Sequence, residues 1–330
     1  MASEMIPPST APDFLHRSGW GDAAILPLAG DASFRRYFRV EHPEKGQAVL
    51  MDAPPEHEDV RPFIAIADHL DAHGLRAPRI LARDLDLGLL LLEDFGDERV
   101  GPVLAKDASG EQAIYEQAVD TLVELGKRPL PAGIAPYDED ALMREVMLFP
   151  EWYAPALDLD VDVEGFRQAW KDVWAGVLAR TAAHPVLVLR DYHADNLMLL
   201  EGGGLGLLDF QDALAGHAAY DLVSLLQDAR RDVDPALERA MLDRFVANAD
   251  VDDVAFEADY AVLGAQRNVK ILGIFTRLWK RDGKSHYLPL QPRVWGLLER
   301  DLAHPALVPV KRWFDDNVPA DKRAAAWEGR

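Results

Sequence analysis

VLVLRDYHADNLMLLEGGGLGLLDFQD, residues 186–212, decides how the rest of the chain is read. Its first four residues are apolar and deliver a polar group: Arg190, Asp191, His193 and Asn196. Two short apolar segments, 197–200 and 205–208, then flank Glu201, Gly202, Gly203 and Gly204. Short apolar runs around a Gly-rich turn predict a β-hairpin. With its turn centred on residues 201–204, Asn196 and Asp209 face each other across two strands, their Cβ atoms roughly 5 Å apart. A carboxylate beside an amide oxygen makes a hard-cation site. Mg²⁺ suits it, because that ion takes few protein oxygens and completes its shell with water and phosphate.

Asp191 precedes Asn196 by five residues, and Asp209-Phe210 follows the hairpin. D-x-x-x-x-N followed by D-F-G is the layout of eukaryotic-like kinases. There the first Asp accepts the proton of the substrate hydroxyl, and the Asn and second Asp hold magnesium on the nucleotide phosphates. Here Gln211 stands where those kinases carry Gly. The layout predicts an α+β, protein-kinase-like bilobal fold. A small antiparallel β lobe, residues 1–95, would bind nucleotide, and a larger helical lobe, residues 96–330, would carry catalysis and the acceptor.

Composition fits an ordinary globular chain, with 49% hydrophobic and 28% charged residues. A net charge of −21 argues against a nucleic-acid or anionic-membrane partner. Anionic small ligands remain open to it through local cations and metal. The absence of cysteine excludes disulfides and thiolate metal sites and fits a reducing cytoplasm. MASEMIPPST has neither the basic nor the apolar region of a signal peptide, and no apolar run reaches the length of a membrane span. The expectation is a cytoplasmic enzyme.

Working back toward the N-terminus, residues 26–40 read as two strands around Gly30, Asp31, Ala32 and Ser33. In a kinase-like lobe this turn covers the nucleotide phosphates, with Gly30, Asp31 and Ser33 in contact and Arg35 the arginine nearest the turn. The next strand carries Val49 against the nucleotide and Met51 where kinases place a phosphate-gripping lysine. The helix predicted over 60–73 offers no glutamate to pair with such a lysine, so Arg35 or another arginine is expected to substitute. Residues 87–92 form a buried strand leading into Glu93-Asp94-Phe95-Gly96, and Glu93 and Phe95 are assigned to adenine reading through the linker backbone.

Beyond the linker, apolar periodicity predicts helices over 111–126, 140–149, 164–184, 220–229, 235–249 and 254–281. Trp170 and Trp174, one turn apart, read as core, and Trp152 as a wall for a sugar ring. Asp221 reads as an N-cap or a brace for the Asp191 loop. Gln266, Arg267, Asn268 and Lys270 interrupt the last apolar run, as a solvated face or as a pocket wall.

The segment from Arg190 to Asn196, with Asp209-Phe210, resembles the aminoglycoside phosphotransferase and choline kinase superfamily. Its usual H-G-D-x-H-x-x-N is matched except at Leu189 and Arg190. More narrowly, the blocks at 30–39 (GDASFRRYFR), 51–55 (MDAPP), 189–196, 209–213 (DFQDA) and 220–225 (YDLVSL) resemble the bacterial anomeric kinases of N-acetylmuramate and N-acetylglucosamine. That resemblance implies ATP-dependent phosphorylation of the sugar C1 hydroxyl to an α-1-phosphate. It also implies a functional link to a sugar-1-phosphate nucleotidyltransferase and a place in peptidoglycan sugar recycling towards UDP-N-acetylmuramate. Asp191 would orient the hydroxyl and accept its proton, with His193 donating to the γ-phosphate or supporting the loop. Asn196 and Asp209 would hold Mg²⁺, Gln211 and Asp212 would take sugar hydroxyls, and Arg267 or Lys270 would meet the lactyl carboxylate. The alternatives are a kinase of the same fold acting on an aminoglycoside, choline or homoserine, a nucleotide-binding pseudokinase, and a scaffold without a ligand.

Overall fold

The computed structural model describes residues 6–30 and 34–323. The chain divides into two compact units. One holds the residues up to Lys106 together with Asp195–Asp212, and the other holds Asp107–Ala194 and the residues from Ala213 onward.

In the first unit, β1 (Ala24–Gly30), β2 (Arg36–His42), β3 (Gly46–Asp52), β4 (Ile80–Asp84) and β5 (Leu89–Glu93) form an antiparallel sheet in the order β1-β2-β3-β5-β4. Pro27 can sit in β1 because that strand is an edge and needs fewer ladder donors. Period-2 alternation sorts the faces. Phe38, Val40, Ala48, Leu50, Leu89 and Leu91 bury together with Phe14 and Leu15 of α1 (Ala11–Arg17). Tyr37, Val49 and Leu92 point to the other face and line a cavity. Helix α2 (Arg61–Ala72) buries Phe63, Ile64, Ile66, Ala67 and Leu70, the predicted stripe, and α3 (Val100–Lys106) closes this part of the unit. Despite its distance along the chain, the hairpin of Leu197–Leu199 and Leu205–Leu207 belongs here too. The Leu207 N–H donates to Arg76 O at 2.7 Å and the Leu199 N–H to Glu98 O at 2.8 Å.

The second unit is helical: α4 (Glu111–Gly126), α5 (Glu139–Val146), α6 (Ala154–Ala156), α7 (Val163–Ala183), α8 (Ala219–Leu226), α9 (Pro235–Asn248), α10 (Asp253–Asp282), α11 (Gln291–Leu302), α12 (Val308–Asn317) and α13 (Ala320–Arg323). Asp138, Asp162, Asp234 and Asp252 each accept a first-turn N–H, so part of the acidic composition is spent on helix starts. Trp170 and Trp174 are fully buried and stack at 5.3 Å, as core. Helix α10 is the centre of this unit, buried along most of its length, and it stops at Gly283, whose φ of 69° lets the chain turn left-handed. A solvated face for its polar insert is overturned: Gln266, Arg267, Asn268 and Lys270 are all buried. Val186–Val188, which leads into Asp191, pairs antiparallel with Leu214–Gly216.

Candidate active site

The hairpin forms, but one residue out of the expected register: Leu197 pairs with Leu207 and Leu199 with Leu205. The reason lies in the turn. The Leu200 N–H donates to Gly204 O at 3.2 Å, leaving a three-residue loop, and Gly202, Gly203 and Gly204 take φ values of 86°, 93° and 98° that other residues resist. Asn196 is therefore opposite Leu208, whose N–H donates to its carbonyl at 3.0 Å. A one-residue slip turns side chains to opposite faces. Asp209 compensates with a left-handed backbone, φ 59°, and its Oδ2 lies 3.4 Å from the Asn196 amide nitrogen. Asp tolerates that conformation better than most residues.

Two further donors reach Asp209 Oδ1: Gln211 Nε2 at 2.9 Å and Arg35 Nη2 at 3.5 Å. Gln211 thus steadies the carboxylate, and it also reaches Asp212 at 3.5 Å. Phe210 is fully buried and stacks on Phe63 of α2, which locks the D-F element in place. Among the described residues no cluster of three or more His, Asp or Glu is placed to hold a metal ion. One carboxylate and one amide fit a hard cation that draws its other ligands from phosphate and water, which is the habit of Mg²⁺.

The cavity of this unit has a volume of about 490 Å³, within the range of small-ligand sites. Val49, Leu92, Met198 and Leu208 give it apolar walls, Asn196 and Asp209 a polar end, and residues 93–97 an edge. Of the residues predicted to bind nucleotide, Val49, Glu93 and Phe95 line it, Arg35 reaches Asp209, and Gly30 ends β1 opposite Arg36. Asp31 and Ser33 lie outside the described residues. The Glu93 carboxylate is engaged by Arg76 at 2.9 Å and Arg79 at 3.0 Å. Arg39 holds the edge from the sheet side, donating to Asp94 at 2.7 Å and Asp97 at 2.8 Å. The ring of Phe95 lies against Gly206, where a Cβ would fall 2.6 Å from two ring carbons. Met51 is buried between Tyr37 and Leu90, so no cation comes from β3 at the kinase lysine position. The guanidinium near Asp209 is that of Arg35.

In the second unit the Asp191 loop is braced from below. Asp221 Oδ2 accepts the Leu189 N–H at 2.6 Å and Oδ1 the Arg190 N–H at 2.8 Å, and the Ser224 hydroxyl donates to Arg190 O at 3.3 Å. Burial pushes the Asp221 carboxyl up to about 7 against the pull of those two N–H groups. Tyr192 is buried and donates to Ala118 O of α4 at 2.9 Å. Arg190 takes φ 72° where the superfamily motif carries Gly. For a residue with a Cβ that costs about 1–2 kcal/mol and must be held by its surroundings. Asp221 and Ser224 hold its backbone, and Glu145 of α5 holds its side chain, accepting from Arg190 Nη2 and Tyr137 Oη, from Gln266 Nε2 at 2.9 Å and from Lys270 Nζ at 2.9 Å. Burial raises the Glu145 carboxyl, but Lys270 and Arg190 outweigh it and bring the group down to about 2.

Burial also pushes Asp191 up, and the charges of Lys270 and Arg267 lead a set that holds it below the ordinary carboxylate value. His193 is buried, and burial, with Arg230 and Arg267, lowers it to about 3, so it stands neutral beside Asp191. Arg267 is 4% exposed, and its Nη1 is buried without a hydrogen-bond partner. Lys270 also donates to Tyr220 Oη at 3.2 Å. Trp152 is half-buried in a π-helical turn, Phe149–Tyr153.

Sequence reasoning missed Glu145. Its signal was present as a charged residue at core spacing, three after Leu142 and four before Phe149 on a helix whose apolar face is buried.

The phosphotransferase enzyme family model matches residues 24–256. The chain is 37% identical to an N-acetylmuramate/N-acetylglucosamine kinase of Caulobacter vibrioides, over 94% of this chain and 96% of that one. It is 39% identical to a protein of the same name from Pseudomonas aeruginosa, over 89% of each. Among solved structures, choline kinase LicA from Streptococcus pneumoniae superposes with a TM-score of 0.62 at 12% identity, over 91% of this chain and 99% of that one. ADP-bound aminoglycoside phosphotransferase APH(2'')-Ib does so with a TM-score of 0.58 at 14% identity, over 88% and 97%. These two likenesses establish the kinase-like fold.

Proposed function

The chain belongs to the phosphotransferase enzyme family, and we propose that it transfers the γ-phosphoryl group of ATP to the C1 hydroxyl of N-acetylmuramate and N-acetylglucosamine. What carries the reading is the braced loop presenting Asp191 among cations, in a chain that resembles enzymes of that name along nearly its whole length. Arg190, Arg267 and Lys270 all act on Asp191 electrostatically, a surrounding that disfavours cationic acceptors such as choline or an aminoglycoside. A neutral or carboxylate-bearing sugar suits it.

In this reading Asp191 orients the anomeric hydroxyl and takes its proton late in a loose transition state, where positioning matters more than base strength. Its depressed pKa keeps it ionised at neutral pH. Neutral His193 supports the loop without adding charge. Asn196 and Asp209 would hold Mg²⁺, which when bound neutralises charge on the nucleotide phosphates. The cavity walls at Val49, Leu92 and Met198 would take adenine, with the backbone at Glu93 and Phe95 along its edge. Arg35 takes over the charge of the absent strand lysine. Arg267 and Lys270, with Trp152, Gln211 and Asp212, remain the residues proposed to meet the sugar. The α-1-phosphate would pass to a sugar-1-phosphate nucleotidyltransferase in the cytoplasm, within peptidoglycan sugar recycling.

The test is phosphate transfer from ATP and Mg²⁺ to N-acetylmuramate, N-acetylglucosamine, kanamycin and choline in parallel, with Asp191→Asn as control. Turnover confined to the amino sugars, giving an acid-labile, alkali-stable phosphate and lost in the variant, is the expected result. Turnover on kanamycin or choline alone would reassign the acceptor, and nucleotide binding without any turnover would make the chain a pseudokinase.

A further inference from the structure

The edge of the cavity in the first unit carries a carboxylate that the fold fixes and yet leaves open. Arg39 shares the cavity face of β2 with Tyr37 and lies opposite Val49 of β3. Its guanidinium serves two carboxylates, Asp94 at 2.7 Å and both oxygens of Asp97 at 2.8 and 3.1 Å. The Asp94 side chain is 5% exposed and also accepts the Gly96 N–H at 2.8 Å, so it is occupied in shaping the linker. Asp97 is different: it lines the cavity and its side chain is 75% exposed. Arg39 holds its carboxyl below the ordinary value, so it is ionised at neutral pH. An ionised carboxylate offers about four acceptor sites, and the Arg39 fork fills two.

The place of Asp97 along the cavity follows from the backbone. The Leu199 N–H donates to Glu98 O at 2.8 Å, and Arg99 bridges Met198, which is two residues from Asn196. Residues 97–99 therefore run between the edge at Glu93 and Phe95 and the polar end at Asn196 and Asp209. A nucleotide with its base on the apolar walls and its phosphates at the polar end has its ribose beside them. Resting on the kinase reading above, we infer that Asp97 is a nucleotide-binding residue whose carboxylate accepts hydrogen bonds from the ribose 2′- and 3′-hydroxyls, so that the chain selects ribonucleotides. A charged acceptor already held in place by Arg39 loses little side-chain freedom on binding. Because the site is exposed, a missing hydroxyl leaves the carboxylate to water, and the loss is about tenfold rather than that of a buried group left unpaired.

The experiment measures kcat and KM for ATP, 2′-deoxy-ATP and 3′-deoxy-ATP at saturating Mg²⁺ and amino sugar, in wild-type, Asp97→Ala and Asp97→Asn, with folding checked by circular dichroism melts. In wild-type, at least one deoxynucleotide is expected to show a KM about tenfold above that of ATP, with kcat within twofold. Asp97→Ala is expected to raise the KM for ATP about tenfold and to bring all three KM values within twofold of one another. A carboxylate that merely held the linker would raise the three together and keep their ratios. Wild-type KM values within twofold of one another, or a ratio that survives in Asp97→Ala, would overturn the inference. If Asp97→Ala does not fold, Asp97→Asn decides by the same ratios: discrimination reduced threefold or more supports the ribose contact, and a smaller change refutes it. Absence of transfer from ATP to either amino sugar removes the kinase reading, whereas transfer from all three nucleotides with equal KM removes the ribose contact alone.

Discussion

Asn196 and Asp209 meet through their side chains, amide nitrogen to carboxylate oxygen at 3.4 Å, although both lie outside the paired strands of the hairpin. The contact depends on the left-handed backbone of Asp209 and on Gln211, which fixes Oδ1 at 2.9 Å. Of the pair only Asp209 brings a charge to a cation placed there, so removing it should be far worse than removing the amide. Asp209→Asn is expected to lower kcat at least 1,000-fold. Asn196→Ala should instead raise the half-saturating Mg²⁺ concentration about tenfold and leave part of kcat at high metal. Magnesium titrations of turnover, with thermal shifts by ATP in the presence and absence of Mg²⁺, read both effects. Equal losses that no amount of metal relieves would show that the pair is structural.

Gly206 is required by a neighbour. Its φ is not left-handed, yet a Cβ there would press into the Phe95 ring, over which the Arg76 guanidinium lies 5.7 Å from the centroid. Phe95 lines the cavity proposed to take the nucleotide. Gly206→Ala should displace that ring and raise the KM for ATP about five- to twentyfold, with the sugar KM within twofold. Steady-state kinetics with each substrate varied decide it, and an unchanged KM for ATP would mean that the cavity edge does not touch the nucleotide.

Local signals carried well into this structure. The helices read from apolar period and the D-x-x-x-x-N spacing depend on residues close in sequence, and so they were legible. The hairpin register was not, because it rests on how Gly202, Gly203 and Gly204 divide the turn, and glycine permits more than one division. Nor was the burial of Gln266, Arg267, Asn268 and Lys270. Polar residues on a helix look solvated until their partners are known, and Glu145, Gln227 and Asp301 come from 33 or more residues away along the chain. Asp221 read as an N-cap or a brace from its place at a helix start, and its partners, the N–H groups of Leu189 and Arg190, settle it as a brace from a distant segment.

Asp301 ties stability to pH. Its Oδ1 accepts from Gln227 at 2.9 Å and its Oδ2 from Asn268 at 3.1 Å, and burial pushes its carboxyl from the ordinary 3.8 up to about 8. The folded chain therefore keeps a proton that the unfolded chain has already released between about pH 4 and pH 8. The stability this group contributes is complete below pH 4 and is lost as pH rises, at most about 1.4 kcal/mol for each pH unit in that window. Asp301→Asn stays neutral and escapes that slope. Urea unfolding of both proteins at pH 5 and pH 9 should show the variant gaining on wild-type at the higher pH. Asp221 shifts in the same direction but is common to both proteins and cancels in the comparison. A difference that does not change with pH would mean that the Asp301 carboxyl is ionised in the fold.

Arg267 and Lys270 stand one turn apart on α10 but are not equivalent. Lys270 is engaged by Glu145 and Tyr220, whereas Arg267 keeps a buried Nη1 with no hydrogen-bond partner. A guanidinium pre-placed in this way gains most from a planar carboxylate, and a charge-assisted hydrogen bond of that kind contributes about 1.5–3 kcal/mol. N-acetylmuramate carries such a carboxylate and N-acetylglucosamine does not. Arg267→Gln should therefore lower kcat/KM for N-acetylmuramate about 10- to 100-fold further than for N-acetylglucosamine, the neutral sugar losing only what Asp191 loses when a nearby cation is removed. The ratio of the two kcat/KM values, measured for wild-type and variant at one pH, isolates the carboxylate contact from any shared damage. An unchanged ratio would place Arg267 in the support of Asp191 and leave acceptor choice to other residues.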